Sequence, residues 1–266
     1  MANAFFVVWR ESLEAFLIAG ILFAWLKAND DSGAGRRALF AGLGAGVLLA
    51  LALGWALLTA QDELTGEALD IFQTATLIVA AALITQMVLW MRRHGRQIKA
   101  RLHADLTTAA ARSGYLGVAI VAALAVAREG AETVIFLYGL AQGGDLSALI
   151  GGSLAGFIAA AATAWLAAKS LARLNIGLLL RLSAILLLIL ASALLMSASD
   201  PPIRADWVPT LIDPVWDSSA LIDDGTTGGK LLADFTGYRA RPALSTLLVW
   251  LGYWTLVIVG YRRTGA

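Results

Sequence analysis

The sequence has no cysteine, two histidines and five prolines, and only 15% of its 266 residues are charged. Without cysteine there is no disulfide framework, no thiolate metal site and no thiol nucleophile. The scarcity of charge excludes more. Soluble domains are about a quarter charged, whereas here 59% of residues are hydrophobic and the mean hydropathy is +0.75. That much apolar surface cannot be hidden inside one compact globule, so lipid is the expected solvent. Strict two-residue alternation is also missing, which argues against a β-barrel. No Gly-x-x-x-x-Gly-Lys-Ser/Thr run points to an ATPase, and a net charge of +1 gives no reason to expect nucleic acid.

What is present is a series of long apolar runs. Crossing roughly 30 Å of hydrocarbon takes about 20 mostly apolar residues. Seven stretches qualify: 4–26, 38–60, 68–91, 115–140, 147–168, 177–198 and 243–261. The first is not read as a cleavable signal, because it lacks a basic start and carries Arg10, Glu11 and Glu14. Connections 27–37, 92–114 and 169–176 and the tail after Tyr261 gather the bases, among them Lys27, Arg36, Arg92, Arg93, Arg96, Arg112, Arg173 and Arg263. Connections 61–67 and 141–146 hold none. The positive-inside rule then sets the N-terminus outside and the C-terminus in the cytoplasm. Asp62, Glu63, Glu67, Asp70 and Asp145 fall on the outer side, with seven further aspartates in 199–242. Such a face concentrates cations, although it is also what remains when bases are retained inside.

Two segments repeat. Arg10-Glu11-Ser12-Leu13-Glu14 in the first span matches Arg128-Glu129-Gly130-Ala131-Glu132 in the fourth, and Gly42, Ala45, Gly46 and Trp55 match Gly152, Ala155, Gly156 and Trp165. Spans 1–3 therefore correspond to spans 4–6. Three is odd, so the second copy enters the bilayer from the opposite face, an arrangement that puts a site at the midplane. The expected fold is an all-α integral membrane protein of seven helices, a 3+3 inverted-topology repeat plus one C-terminal helix. Its expected parts are a first repeat with a basic cytoplasmic linker (1–105), a second repeat (106–198), an extracytoplasmic acidic and aromatic segment (199–242), and a last helix with its tail (243–266).

Ionisable groups at the midplane cost roughly 2.5–3.5 kcal/mol each on insertion scales, so they must face one another or water. In each motif the glutamates, three apart, share a helix face, and the arginine neighbours the glutamate four residues on. Two crossing helices would converge four carboxylates and two guanidiniums. The formal sum is −2, which leaves room for a cation. The predicted centre offers only carboxylate oxygen, and oxygen donors suit hard ions: Fe³⁺, but equally Mn²⁺, Mg²⁺ or Ca²⁺. The plain alternative is a pair of buried ion-pair locks.

The doubled motif on the first and fourth of seven spans resembles the oxidase-dependent iron permease family, the high-affinity ferric iron permeases of fungi and bacteria. Arg128-Glu129-Gly130-Ala131-Glu132-Thr133-Val134-Ile135-Phe136-Leu137 is close to that family's signature, with Ala131 in place of the usual Leu and Ser12 in place of a common Gly. Gly229-Lys230-Leu231-Leu232, Gly237-Tyr238 and Pro242-Ala243-Leu244 are similar to the family pattern too. The resemblance implies a non-enzymatic, multi-pass protein of the cell inner membrane that imports Fe³⁺. Glu11, Glu14, Glu129 and Glu132 would handle the iron, supported by Arg10 and Arg128. Iron is then substrate, with no tightly bound cofactor. The implied partner is a periplasmic protein that oxidises or delivers iron, cupredoxin-like or iron-binding. One departure is Gln73, where the family often has glutamate.

Other features carry two readings each. Glu67, Asp70 and Gln73 step by three residues along the third span and could lead a cation inward, or could merely favour the positive end of a helix. The 199–242 aspartates could capture iron, while its aromatics suit the headgroup level. Basic run 92–101 suits anionic lipid, and glycines 42, 44, 46, 151, 152 and 156 suit close helix packing. Gln86, Ser183 and Ser192 would bond between helices. The rivals to ferric transport are a membrane-embedded carboxylate metalloenzyme and a transporter of another hard cation such as Mn²⁺. Bundle di-iron enzymes pair Glu with Glu-x-x-His, and no histidine lies in these spans.

Overall fold

A computed structural model describes residues 2–29, 33–94, 98–142, 146–169 and 176–263. Asp30, Asp31, Arg96, Asp145 and Arg173 lie outside the described residues. Among the described residues there are helices and no strand: α1 (Ala2–Asn29), α2 (Ala34–Glu63), α3 (Glu67–His94), α4 (Ile98–Ala141), α5 (Leu146–Ala168), α6 (Ile176–Ala198), α7 (Asp200–Arg204), α8 (Thr227–Thr236) and α9 (Leu244–Arg263). The helices α2, α3, α4, α5, α6 and α9 each contain a run long and apolar enough to cross a membrane. They leave Leu48, Trp55, Leu124, Leu154 and Leu256 bare, as surfaces facing acyl chains do. The other long helix, α1, carries Arg10, Glu11 and Glu14 along its length.

The chain divides into two compact units. One comprises Met1–Leu58, His94–Tyr138 and Ser147–Ile176, and so holds α1, α5 and most of α2 and α4. Its packing repeats itself in a way that the sequence repeat explains. Gly46 of α2 lies so close to α4 that a Cβ there would stand 2.7 Å from the Ala123 carbonyl oxygen and 3.0 Å from the Ala127 nitrogen. Gly156 of α5 meets α1 in the same manner, 2.5 Å from the Phe5 oxygen and 3.0 Å from the Trp9 nitrogen. Ala123 precedes Arg128 by the five residues that separate Phe5 from Arg10, so the two contacts are equivalents exchanged between copies. Gly42 touches α4 at Ala119. Gly44 has nothing within 4 Å, because its face of α2 is turned away, and the expectation that it packs is corrected.

The connection read as a basic linker holds a structural element of its own. Helix α4 begins at Ile98 and changes direction at Gly114 (φ 56°, ψ −139°), a conformation that only glycine adopts cheaply. Before that break, Leu106 is fully buried with Leu22, Leu26, Leu39, Val118 and Ala122, and Leu102 and Ala110 pack alongside. Positions 102, 106 and 110 form one helix face.

The second unit comprises Thr59–Arg93, Gly139–Leu146 and Gly177–Ala266. Its core is α3 against α6 and α9: Gly139 rests on Leu77 and Leu194, and the Tyr253 hydroxyl donates to the Leu188 carbonyl (3.0 Å) and meets Thr85 Oγ1 at 3.2 Å. Ser183 and Ser192 donate to Leu180 and Ile189 of their own helix, not across to another. In apolar surroundings the nearest free carbonyl lies one turn back. Segment 199–242 folds onto the start of α9, whose Leu244 and Ser245 nitrogens donate to the Ile212 and Thr210 carbonyls. Helix α8 begins on Thr226, whose hydroxyl accepts from the Gly229 nitrogen, and ends on left-handed Gly237, as capping preferences dictate.

Candidate metal centre

Helices α1 and α4 bring the two motifs together within the first unit. Carboxylate oxygens of Glu11, Glu14 and Glu129 all lie within 4.8 Å of one another, which is a separation that a single ion can bridge. Arg10 is 1% exposed and Glu11 equally so. Its guanidinium contacts both glutamates of its own motif, from Nη1 to Glu11 Oε1 and from Nη2 to Glu14 Oε1, each at 2.8 Å. The i+4 contact follows from helical spacing; the contact to the adjacent residue does not, and depends on the length of the arginine and its forked head.

The second motif is arranged differently. Arg128 Nε stands 3.0 Å from Glu132 Oε1 and 4.0 Å from Glu129 Oε1. Its side chain is half exposed where that of Arg10 is sealed. Glu129 is therefore only loosely held and leans towards Glu11 and Glu14, while Glu132 stays with Arg128 outside the three-carboxylate group. The second oxygens of Glu11, Glu129 and Glu132 are buried and make no hydrogen bond. An acceptor left so costs about 1–3 kcal/mol, more when charged. These oxygens are what a cation would need.

The neighbours hold the two helices in register. Trp9 Nε1 donates to Thr163 Oγ1 of α5 (3.3 Å), and Gly130, between the two acids of its motif, lets Ala50 of α2 come into contact. Sequence inspection missed Thr163, whose only signal was a hydroxyl in a helix with no other polar side chains than Ser147 and Ser153. Glu67, Asp70 and Gln73 occupy the first two turns of α3 in the other unit. In segment 199–242 four aspartates already have internal work. Asp200 pairs with Arg239 (2.6 Å) and Asp217 with Arg241 (3.0 Å). Asp223 accepts from the Gly225 nitrogen and Asp224 from the Ala240 nitrogen. Two serine contacts hold the Asp217 carboxyl down at about 2, with Arg241 adding to the effect.

Six membrane-capable helices define a multi-pass membrane protein, and its first unit holds a group of paired carboxylates and guanidiniums. A family model matches residues 1–262, and the chain belongs to the Iron permease FTR1 family. The ferrous iron permease EfeU of Yersinia pestis is 31% identical over 154 residues, 55% of this chain and 54% of that protein. EfeU of Escherichia coli O6:K15:H31 (strain 536 / UPEC) is 35% identical over 144 residues, 52% of this chain and 50% of its own length. The chain thus spans about half the length of the curated relatives it matches. No solved structure matches it.

Proposed function

We propose that this chain imports iron across a bacterial inner membrane, with Glu11, Glu14, Glu129 and Glu132 as the carboxylates that pass the ion. The observation that carries the reading is the convergence of three glutamates from two helices within 4.8 Å, in a chain of an iron permease family. The chain crosses seven times with the N-terminus outside, in a 3+3 inverted repeat plus one C-terminal helix, and the exchanged Gly46 and Gly156 contacts support the repeat. Arg10 keeps the empty group from accumulating uncompensated charge. An arriving ion takes the unpartnered oxygens of Glu11 and Glu129 first, and Arg10 retains its two contacts until the ion's charge outweighs them. Arg128, half exposed, is the hinge of access: its release of Glu132 frees a fourth carboxylate. Glu67, Asp70 and Gln73 form the outer access path, and a periplasmic iron-oxidising or iron-delivering protein supplies the ion.

The transported ion is Fe³⁺, since hard oxygen donors with a formal excess of two negative charges suit it best. The name of the relatives, ferrous iron permease, favours Fe²⁺ as the second reading. Radioactive iron uptake by iron-starved cells tests both, offered as ferric citrate or as ascorbate-reduced iron, with Mn²⁺ as competitor. Glu14→Gln and Glu132→Gln should reach the membrane and lose uptake, while Leu48→Ala on the exposed face of α2 transports normally. Uptake surviving both glutamine substitutions would reduce the motifs to ion-pair locks. Uptake from the reduced form alone would make the substrate Fe²⁺.

A further inference from the structure

We propose that the groove between α3, α6 and α9, at the end where α7 follows α6, is a phospholipid site, with an acyl chain along the groove and the phosphate at Arg204. The groove is a cavity of about 190 Å³ within the second unit, walled by Ile78, Leu195, Ile203 and Val249 and carrying the hydroxyls of Thr74 and Ser245. All three helices are membrane-capable. Ile78 is exposed beside Val79, and Val249 beside Leu248, so the groove is continuous with the surface that acyl chains must cover.

The hydroxyls say what else the occupant offers. Thr74 Oγ1 and Ser245 Oγ are buried and have no hydrogen-bond partner. Threonines on these helices ordinarily donate one turn back, as Thr76 does to Phe72, Thr85 to Ala81 and Thr255 to Leu251. Thr74 forgoes that bond, and Ser245, in the first turn of α9, has no helical carbonyl behind it. Two buried donors in an apolar groove require acceptors, and the ester carbonyls of a glycerolipid are acceptors at that depth. Arg204, exposed, directly follows the lining residue Ile203. Asp200, on the same short helix, is held in contact by Arg239 and feels Arg204 only as its weaker cationic neighbour, so the exposed Arg204 guanidinium retains donors for a phosphate.

The test is native mass spectrometry of the full chain, delipidated in detergent and titrated with phosphatidylglycerol. Wild type should retain one lipid at detergent concentrations that strip the rest. Thr74→Val and Ser245→Ala should each weaken that adduct about fivefold, the size of one net hydrogen bond, and Arg204→Gln should weaken it similarly. Ala198→Phe, which fills the groove, should abolish it, while Leu154→Phe on α5 leaves it intact. A retained adduct in Ala198→Phe overturns the proposal. So does unchanged affinity in the near-isosteric hydroxyl variants, which decide the matter alone if the phenylalanine variant does not fold.

Discussion

At the scale of single residues, the two motifs have one chemistry in two environments. Arg10 is sealed and holds two carboxylates; Arg128 is half exposed and holds chiefly one. Removing one partner from a buried ion pair costs about 3–5 kcal/mol, because the other charge is left without compensation. Arg10→Gln should therefore lower the thermal midpoint and membrane yield sharply. Arg128→Gln should fold nearly as well as wild type and show its defect in transport. Comparing melting of the two purified variants with their uptake per molecule checks this; equal destabilisation would mean that the exposure of Arg128 is filled in the membrane.

Asp217 gives a second residue-scale expectation. Its folded pKa is about 2, held down first by the Ser219 hydroxyl and backbone and then by Arg241, against about 3.9 in an unfolded chain. The unfolded form thus binds the proton first. The group's contribution to holding the segment is complete above about pH 4 and is lost as pH falls through 2. Ser219→Ala should return the Asp217 carboxyl towards its ordinary value, read from the side-chain carboxyl shift in an NMR titration. An unmoved titration would assign the depression to the Ser219 backbone N–H and Arg241 instead.

At the scale of elements, the exchanged glycine contacts decide which substitutions the helices tolerate. Gly46→Val puts branched carbon against the α4 backbone and should cost about 1–3 kcal/mol through forced separation; Gly156→Val should do the same against α1. Gly44→Val, on the same helix but facing open space, should be neutral. Comparable losses at all three positions would show that α2 packs on more than one side. The motif pairing of α1 with α4 was legible because arginine and glutamate inside apolar runs cannot be accidental. The buried first half of α4 was less so. Leu102, Leu106 and Ala110 do recur every four residues, but the surrounding bases Arg101 and Arg112 drew the segment into a charged loop. The three-carboxylate group could not be read from spacing, since helical periodicity predicts Glu129 and Glu132 as equals, and only the reach of each arginine separates them.

At the scale of the molecule, the path of the chain through the bilayer turns on α1. Its three ionisable residues would add roughly 2.5–3.5 kcal/mol each to an isolated insertion, a cost that only α4 shares in full, through Arg128, Glu129 and Glu132. The cost falls once Arg10 pairs with Glu11 and Glu14 within the same helix, leaving one net negative charge, and Arg128 of α4 adds a second positive charge that acts on Glu14. So α1 is expected to span, but only in company with α4. The absence of native cysteine makes the test clean, because each introduced thiol is the only one. In spheroplasts, a membrane-impermeant maleimide should label Ala2→Cys, Thr65→Cys and Ala220→Cys directly, and should reach Arg112→Cys and Arg263→Cys only after permeabilisation. If α1 does not cross, Ala2→Cys alone changes sides while the other four keep theirs. Combining Ala2→Cys with Arg128→Gln tests the dependence: a share of molecules with a protected Ala2→Cys would show that the α4 charge draws α1 across, and uniform labelling would show that α1 inserts without it.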